Sequence, residues 1–155
     1  MKPPAVYLMH GFIGAGKSTF ARSLSARTAA LRLNADEYVA ARFTPAQVTA
    51  DWDTCFASAI AALWQEAAAQ TAAGRDVILD FGFWTRESRD DARARIAAMG
   101  AQTVHYYIDT PDDIILTRLK KREGDIARRN LAQFDSLKKM FSPPEPDEAA
   151  IYIRP

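Results

Sequence analysis

Residues 11–18 read Gly-Phe-Ile-Gly-Ala-Gly-Lys-Ser, a complete G-x-x-x-x-G-K-[ST] phosphate-binding loop, and no other stretch constrains the fold as tightly. An apolar run from Ala5 to Met9 precedes it, and a helical pattern from Thr19 to Arg27 follows. Strand, loop and helix in that order are the context in which the motif acts. Gly11, Gly14 and Gly16 let the backbone curl without Cβ atoms in the way, so successive N–H groups converge on phosphate oxygens. The positive end of the following helix adds to that attraction. Lys17 reaches toward the β- and γ-phosphates, and the Ser18 hydroxyl is a Mg²⁺ ligand. Gly11, Gly14, Ala15, Gly16, Lys17, Ser18 and Thr19 are therefore the expected nucleotide-binding set. The motif implies a bound nucleoside triphosphate with Mg²⁺.

Elsewhere, short apolar runs alternate with helical patterns, which predicts an α/β fold around a parallel sheet. Strands are expected at Ala5–Met9, Leu31–Leu33, Asp76–Leu79 and Thr103–Ile108, with a last apolar run at Ala149–Ile153. Helices are expected over Lys17–Ala29 and Asp36–Arg42, and after the Thr44/Gln47 capping pair. A long alanine-rich helix runs from Thr54 to about Ala73 with Asp53 as its cap, and Thr85 caps another that ends at Met99. A helix follows Thr110-Pro111, the charged run Lys120–Arg129 comes next, and a last helix covers Asn130–Met140.

With 155 residues and no linker, the whole of 1–155 is expected to be one domain. A net charge of +1 offers no general attraction for nucleic acid. The lone Cys55 excludes a disulfide within one chain, and Cys55, His10 and His105 lack zinc-ligand spacing. No apolar stretch is long enough for a bilayer and no secretory pattern opens the chain, so the expected location is cytoplasmic. Monomer and homodimer both remain open.

Three further groups carry chemistry. Val77-Ile78-Leu79 ends in Asp80, placed to hold Mg²⁺ beside the loop, directly or through water. Asp36 follows the second strand, on the rim where open α/β sheets collect ligands. It suits a base that orients an acceptor hydroxyl, and it equally suits a helix cap. Arg118, Arg122, Arg128 and Arg129 form a charge run that spacing alone assigns to a solvated face. Phe83 and Trp84, just past Gly82, are candidates for the acceptor rim, whereas Trp52 and Phe56 read as ordinary core.

GFIGAGKST, NADEY, VILDFGFWTRESR and ILTRLKKR, in this order, resemble the small P-loop kinases, in particular the zeta-toxin, chloramphenicol-phosphotransferase and polynucleotide-kinase-like ATP-binding proteins. The resemblance implies a P-loop NTPase three-layer α/β/α sandwich with a five-stranded parallel sheet and a short helical lid near 120–130. By it Asp36 matches the acceptor-side aspartate, Arg118 the arginine near adenine, Arg122 the one directed at phosphates, and Arg86 and Arg89 residues that handle the acceptor. The activity it implies is transfer of the γ-phosphate of Mg-ATP to a hydroxyl of a small-molecule acceptor. The alternatives are an ATPase or switch without acceptor, and a polynucleotide 5′-hydroxyl kinase.

Overall fold

The computed structural model describes residues 2–154. Five strands, β1 (Ala5–His10), β2 (Leu31–Asn34), β3 (Val77–Gly82), β4 (Gln102–Ile108) and β5 (Ile151–Ile153), form one sheet in the order β2-β3-β1-β4-β5. Every neighbouring pair is parallel. Helices cover both faces, as a parallel sheet requires. On one face Met9 and Ile78 pack against Ala21 and Leu24 of α1 (Lys17–Thr28). On the other, Val6, Leu8, Val77 and Leu79 pack against Leu63, Trp64, Ala67, Ala92 and Ile96. Those partners lie on α4 (Trp52–Ala72) and α5 (Arg86–Ala98). Central strands buried on both sides explain why they read as unbroken apolar runs. The three-layer sandwich is as expected.

Between β2 and α4 lie α2 (Ala35–Arg42) and α3 (Pro45–Ala50), the latter opened by the reciprocal Thr44/Gln47 capping box. The long helix α4 starts earlier than the sequence reading placed it. Its cap is Asp51, which accepts from the Thr54 amide at 3.1 Å and the Thr54 hydroxyl at 2.6 Å. Asp53 instead lies within the first turn, where its charge favours the helix N-terminus.

The lid region also differs from its reading. After α6 (Asp112–Lys121), the charged run folds into α7 (Asp125–Ala132), and α8 (Phe134–Met140) follows without forming one continuous helix with it. Gly124, at φ 104°, reverses the chain ahead of α7, and Ala127 and Leu131 turn inward while the charges face out. Among the described residues no helix is long and apolar enough to cross a membrane.

Candidate active site

The phosphate loop leaves the carboxyl end of β1 and delivers Lys17 to the first turn of α1. The Lys17 stem lies across Gly11, where an added Cβ would stand 2.9 Å from Lys17 Cγ, so glycine is needed for close approach. Gly16, at φ 101°, takes the left-handed conformation that lets the loop turn into the helix. The loop carbonyls are tied from outside. Arg118 of α6 donates to Gly14 O and Ala15 O, both at 3.2 Å, and the Thr110 hydroxyl donates to Ala15 O at 2.7 Å. Lys17 Nζ donates to Phe12 O at 3.1 Å.

Asp80 lies beside Ser18 on the neighbouring strand and is almost wholly buried. Its Oδ2 accepts from Ser18 Oγ at 2.9 Å, Arg32 Nε at 3.0 Å and Asn34 Nδ2 at 3.0 Å. Its Oδ1 is buried and has no partner among the described residues. A serine hydroxyl next to a carboxylate with one free oxygen fits Mg²⁺, which takes few protein oxygens and completes its shell with phosphates and water. The described residues hold no cluster of three His, Cys, Asp or Glu side chains suited to a metal.

Asp36, in the first turn of α2, is near enough to Lys17 and Asp80 to feel both charges. The cap of α2 is Asn34, whose Oδ1 accepts from the Glu37 amide at 2.8 Å, so Asp36 is released from the capping role. Among the described residues nothing hydrogen-bonds to its carboxylate. One side of Asp36 faces solvent, while burial of the rest raises its carboxyl above the ordinary range; Lys17 opposes that rise, and Asp80 and Glu37 add to it. The Lys17 ammonium responds in mirror image. Burial lowers its pKa, Asp80 and Asp36 resist, and Arg122 reinforces the lowering. Lys17, Asp36, Asp80 and Arg122 thus act on one another in one place. Behind the loop an open cleft of about 540 Å³ is lined by Thr19, Phe20, Ile108, Arg118, Arg122 and Ile153, a volume suited to a small ligand.

Four residues expected on the acceptor side are engaged in ion pairs and packing. Arg89 has no exposed surface. Its guanidinium pairs with Glu148 at 2.7 Å and donates to Phe83 O at 3.0 Å, Ser142 O at 3.1 Å and Pro143 O at 3.3 Å. Arg86 is held by Asp90, Glu145 and Asp147. Both arginines fasten the segment after α8 onto α5, because acidic residues near 145–148 meet them there. Phe83 is 7% exposed and stacks on Phe81 with centroids 5.5 Å apart. Left-handed backbone at Gly82 and Phe83 (φ 95° and 49°) swings that ring into the core, at a strain of about 1 kcal/mol or more for the non-glycine residue. Trp84 is half-buried against Phe12. Trp52, read as core, is 44% exposed and stacked on Phe56.

Other groups had no signal in the sequence. Arg32 and Asn34 reach Asp80 only because β2 pairs with β3 in the register Asn34↔Asp80. His10 and His105 form a buried pair, Nδ1 to Nε2, at 3.0 Å, and His10 Nε2 lies 3.0 Å from Ser142 O. Burial, with Arg89 and His105 adding to it, lowers the His10 pKa to about 3, and burial lowers that of His105 to about 4. Both rings are neutral.

Several solved structures share this architecture. The chain is similar to a sugar kinase from Janibacter sp. at 23% identity and TM-score 0.68, over 99% of this chain and 86% of that one. It is similar to a gluconokinase from Sinorhizobium meliloti at 12% identity and TM-score 0.68, over 98% and 82%. It is similar to the APS kinase CysC of Mycobacterium tuberculosis, in complex with AMPPNP and APS, at 19% identity and TM-score 0.66, over 99% and 89%. Identities this low carry the fold, and the fold is that of the P-loop kinases. No curated protein matches the sequence. Residues 6–144, which hold the phosphate loop, Asp36, Asp80, Arg118 and Arg122, match the AAA domain family, and the chain belongs to it.

Proposed function

We propose that the protein is an ATP-dependent phosphotransferase that moves the γ-phosphate of Mg-ATP to a hydroxyl of a small-molecule acceptor. The observation that carries this reading is Asp36. It is a carboxylate without a cap to make, beside Lys17 and across from Asp80, with its proton affinity raised by burial. A base whose pKa is moved toward neutrality accepts a proton more readily from an attacking hydroxyl.

In this reading the loop backbone and Lys17 hold the β- and γ-phosphates, while Thr19, Phe20 and Arg118 border the space for the nucleoside. Ser18 and Asp80 would hold Mg²⁺, which would supply positive charge against the phosphates. Asp36 orients the acceptor hydroxyl and takes its proton as the new O–P bond forms and the bond to the β-phosphate oxygen breaks. Lys17 and Arg122 stabilise the charge spread over the transferred group. The cocrystallised AMPPNP of the similar CysC kinase supports ATP as donor. Near neutrality in net charge favours a small acceptor over a polynucleotide.

The test is phosphorylation by the purified protein with Mg²⁺ and ATP against pooled hydroxyl-bearing metabolites and 5′-hydroxyl oligonucleotides, read by mass spectrometry. Lys17→Ala is expected to abolish turnover and weaken nucleotide binding. Asp36→Asn is expected to keep ATP affinity within about threefold and lose roughly 100-fold or more in transfer, the scale of a general base. Transfer by Asp36→Asn at the wild-type rate refutes the base. ATP hydrolysis that no pool changes, with no phosphorylated product, refutes the transferase.

A further inference from the structure

The metal-side carboxylate already has a cation against it. Arg32 comes from the edge strand β2, its guanidinium crossing to β3, with Nε donating to Asp80 Oδ2 at 3.0 Å. Arg32 Nη2 lies 2.9 Å from the same oxygen but without the alignment of a hydrogen bond, and is otherwise buried and unpartnered. The far edge of the guanidinium is clamped by Glu37, whose two oxygens accept from Nη1 at 3.1 and 2.9 Å. Side-chain exposure is 13% for Arg32 and 1% for Asp80, so solvent screens this pair poorly. The arrangement leaves Asp80 Oδ1 and Arg32 Nη2 as neighbouring polar atoms without partners, at the place where the metal-side reading of Ser18 and Asp80 puts the cation.

We propose that Arg32 is a built-in counter-ion for Asp80, which keeps a divalent cation from binding ahead of the nucleotide and makes the two load together. The guanidinium already pairs with Asp80 Oδ2, so a cation arriving at Oδ1 meets a carboxylate that is not free. A dication at Oδ1 would share that carboxylate with Arg32 and be repelled by it, with little solvent to screen the two. The triphosphate reverses the balance, because its charges lie on the loop side of the metal, away from Glu37 and Arg32. Arg32 is a positioning residue in this scheme. With Ser18 and Asn34 it is one of three donors that fix Oδ2 and leave Oδ1 for the cation. The proposal rests on the reading of Ser18 and Asp80 as the metal side.

The experiment measures Mn²⁺ binding to the nucleotide-free protein by electron paramagnetic resonance, for wild type, Arg32→Met, and Arg32→Met combined with Asp80→Asn. Methionine keeps the apolar stem and removes the charge. Arg32→Met is expected to bind Mn²⁺ at least about tenfold more tightly than wild type, and the gain is expected to vanish with Asp80→Asn. A folded Arg32→Met, judged by ADP binding without metal, that binds Mn²⁺ no better than wild type overturns the proposal, as does a gain that survives Asp80→Asn. If Arg32→Met does not fold, Arg32→Gln removes the charge while keeping an amide donor and should tighten Mn²⁺ binding, and an unchanged affinity there overturns the proposal equally. Binding of Mn·ATP to Asp80→Asn keeps the two ideas apart. If Asp80 is dispensable for Mn·ATP, the metal-side reading fails; if it is required while Arg32→Met shows no gain, only the role of Arg32 fails.

Discussion

Arg89→Met distinguishes an anchoring arginine from an acceptor-binding one. The guanidinium has no exposed surface and makes two bonds to Glu148, at 2.7 and 3.1 Å, plus three to backbone carbonyls. Removing it leaves Glu148 buried with only Arg93, at 2.8 Å, and the Glu145 amide to hold it. Deleting one partner of a buried ion pair costs about 3–5 kcal/mol. In a domain of this size each kcal/mol moves Tm by about 2–4 °C, so the expected drop is roughly 6–20 °C. Arg89→Met with Glu148→Gln should recover part of that loss, because no charge is then stranded. Thermal unfolding followed by circular dichroism measures both, and nucleotide affinity of the folded fraction should stay near wild type. The opposite outcome refutes the anchoring role: Tm unchanged within about 2 °C together with a raised KM for the acceptor. The pH dependence has a definite sign. Burial would raise the Glu148 carboxyl, but hydrogen bonds from Arg89, the Glu145 amide and Arg93 outweigh it and hold the pKa well below the carboxylate range. The stability Glu148 contributes is therefore complete above the unfolded carboxyl pKa and is lost only as pH falls beneath it.

The buried histidines act in a milder window. Their pKa values, about 3 and about 4 in the folded chain, lie below the unfolded value, so the unfolded state alone takes up protons as pH falls from 6.5. Urea unfolding should lose up to about 1.4 kcal/mol per pH unit per ring between pH 6.5 and 5, before most carboxylates titrate, and a flat profile there refutes the neutral pair. Asp51→Ala should lower Tm by about 2–4 °C through loss of the α4 cap, with Asp53→Ala near neutral, and the reverse order contradicts the observed cap. Arg118→Ala should weaken ATP binding through a loosened loop, since its two bonds to loop carbonyls go with it, whereas unchanged affinity removes that support.

The legible features are those whose causes are local. The strand before Gly11, the loop and α1 follow from residues within a few positions of one another, and the Thr44/Gln47 box acts over three residues. Thr85 was read correctly as the cap of α5 for the same reason. Where two local solutions compete, the reading failed. Asp51 and Asp53 both suit a cap, and packing of Cys55, Ala59 and Leu63 sets the helix phase that selects Asp51. The charged run after Arg122 concealed α7 because its inward positions, Ala127 and Leu131, are few.

By itself, the sequence determined that a phosphate loop joins a buried strand to a helix, that an aspartate lies on a later strand, and that the fold is α/β around a parallel sheet. These depend on backbone conformation and apolar periodicity, which are written in contiguous residues. Only the tertiary structure decided where the charges went. Arg89 and Glu148 are 59 residues apart and Arg32 and Asp80 are 48 apart, and each pair meets because strand register and helix docking bring them together. Arginine, with its long stem and its many donors, satisfies whichever acceptor the fold delivers, so sequence position alone could not separate an anchor, a counter-ion and a phosphate ligand.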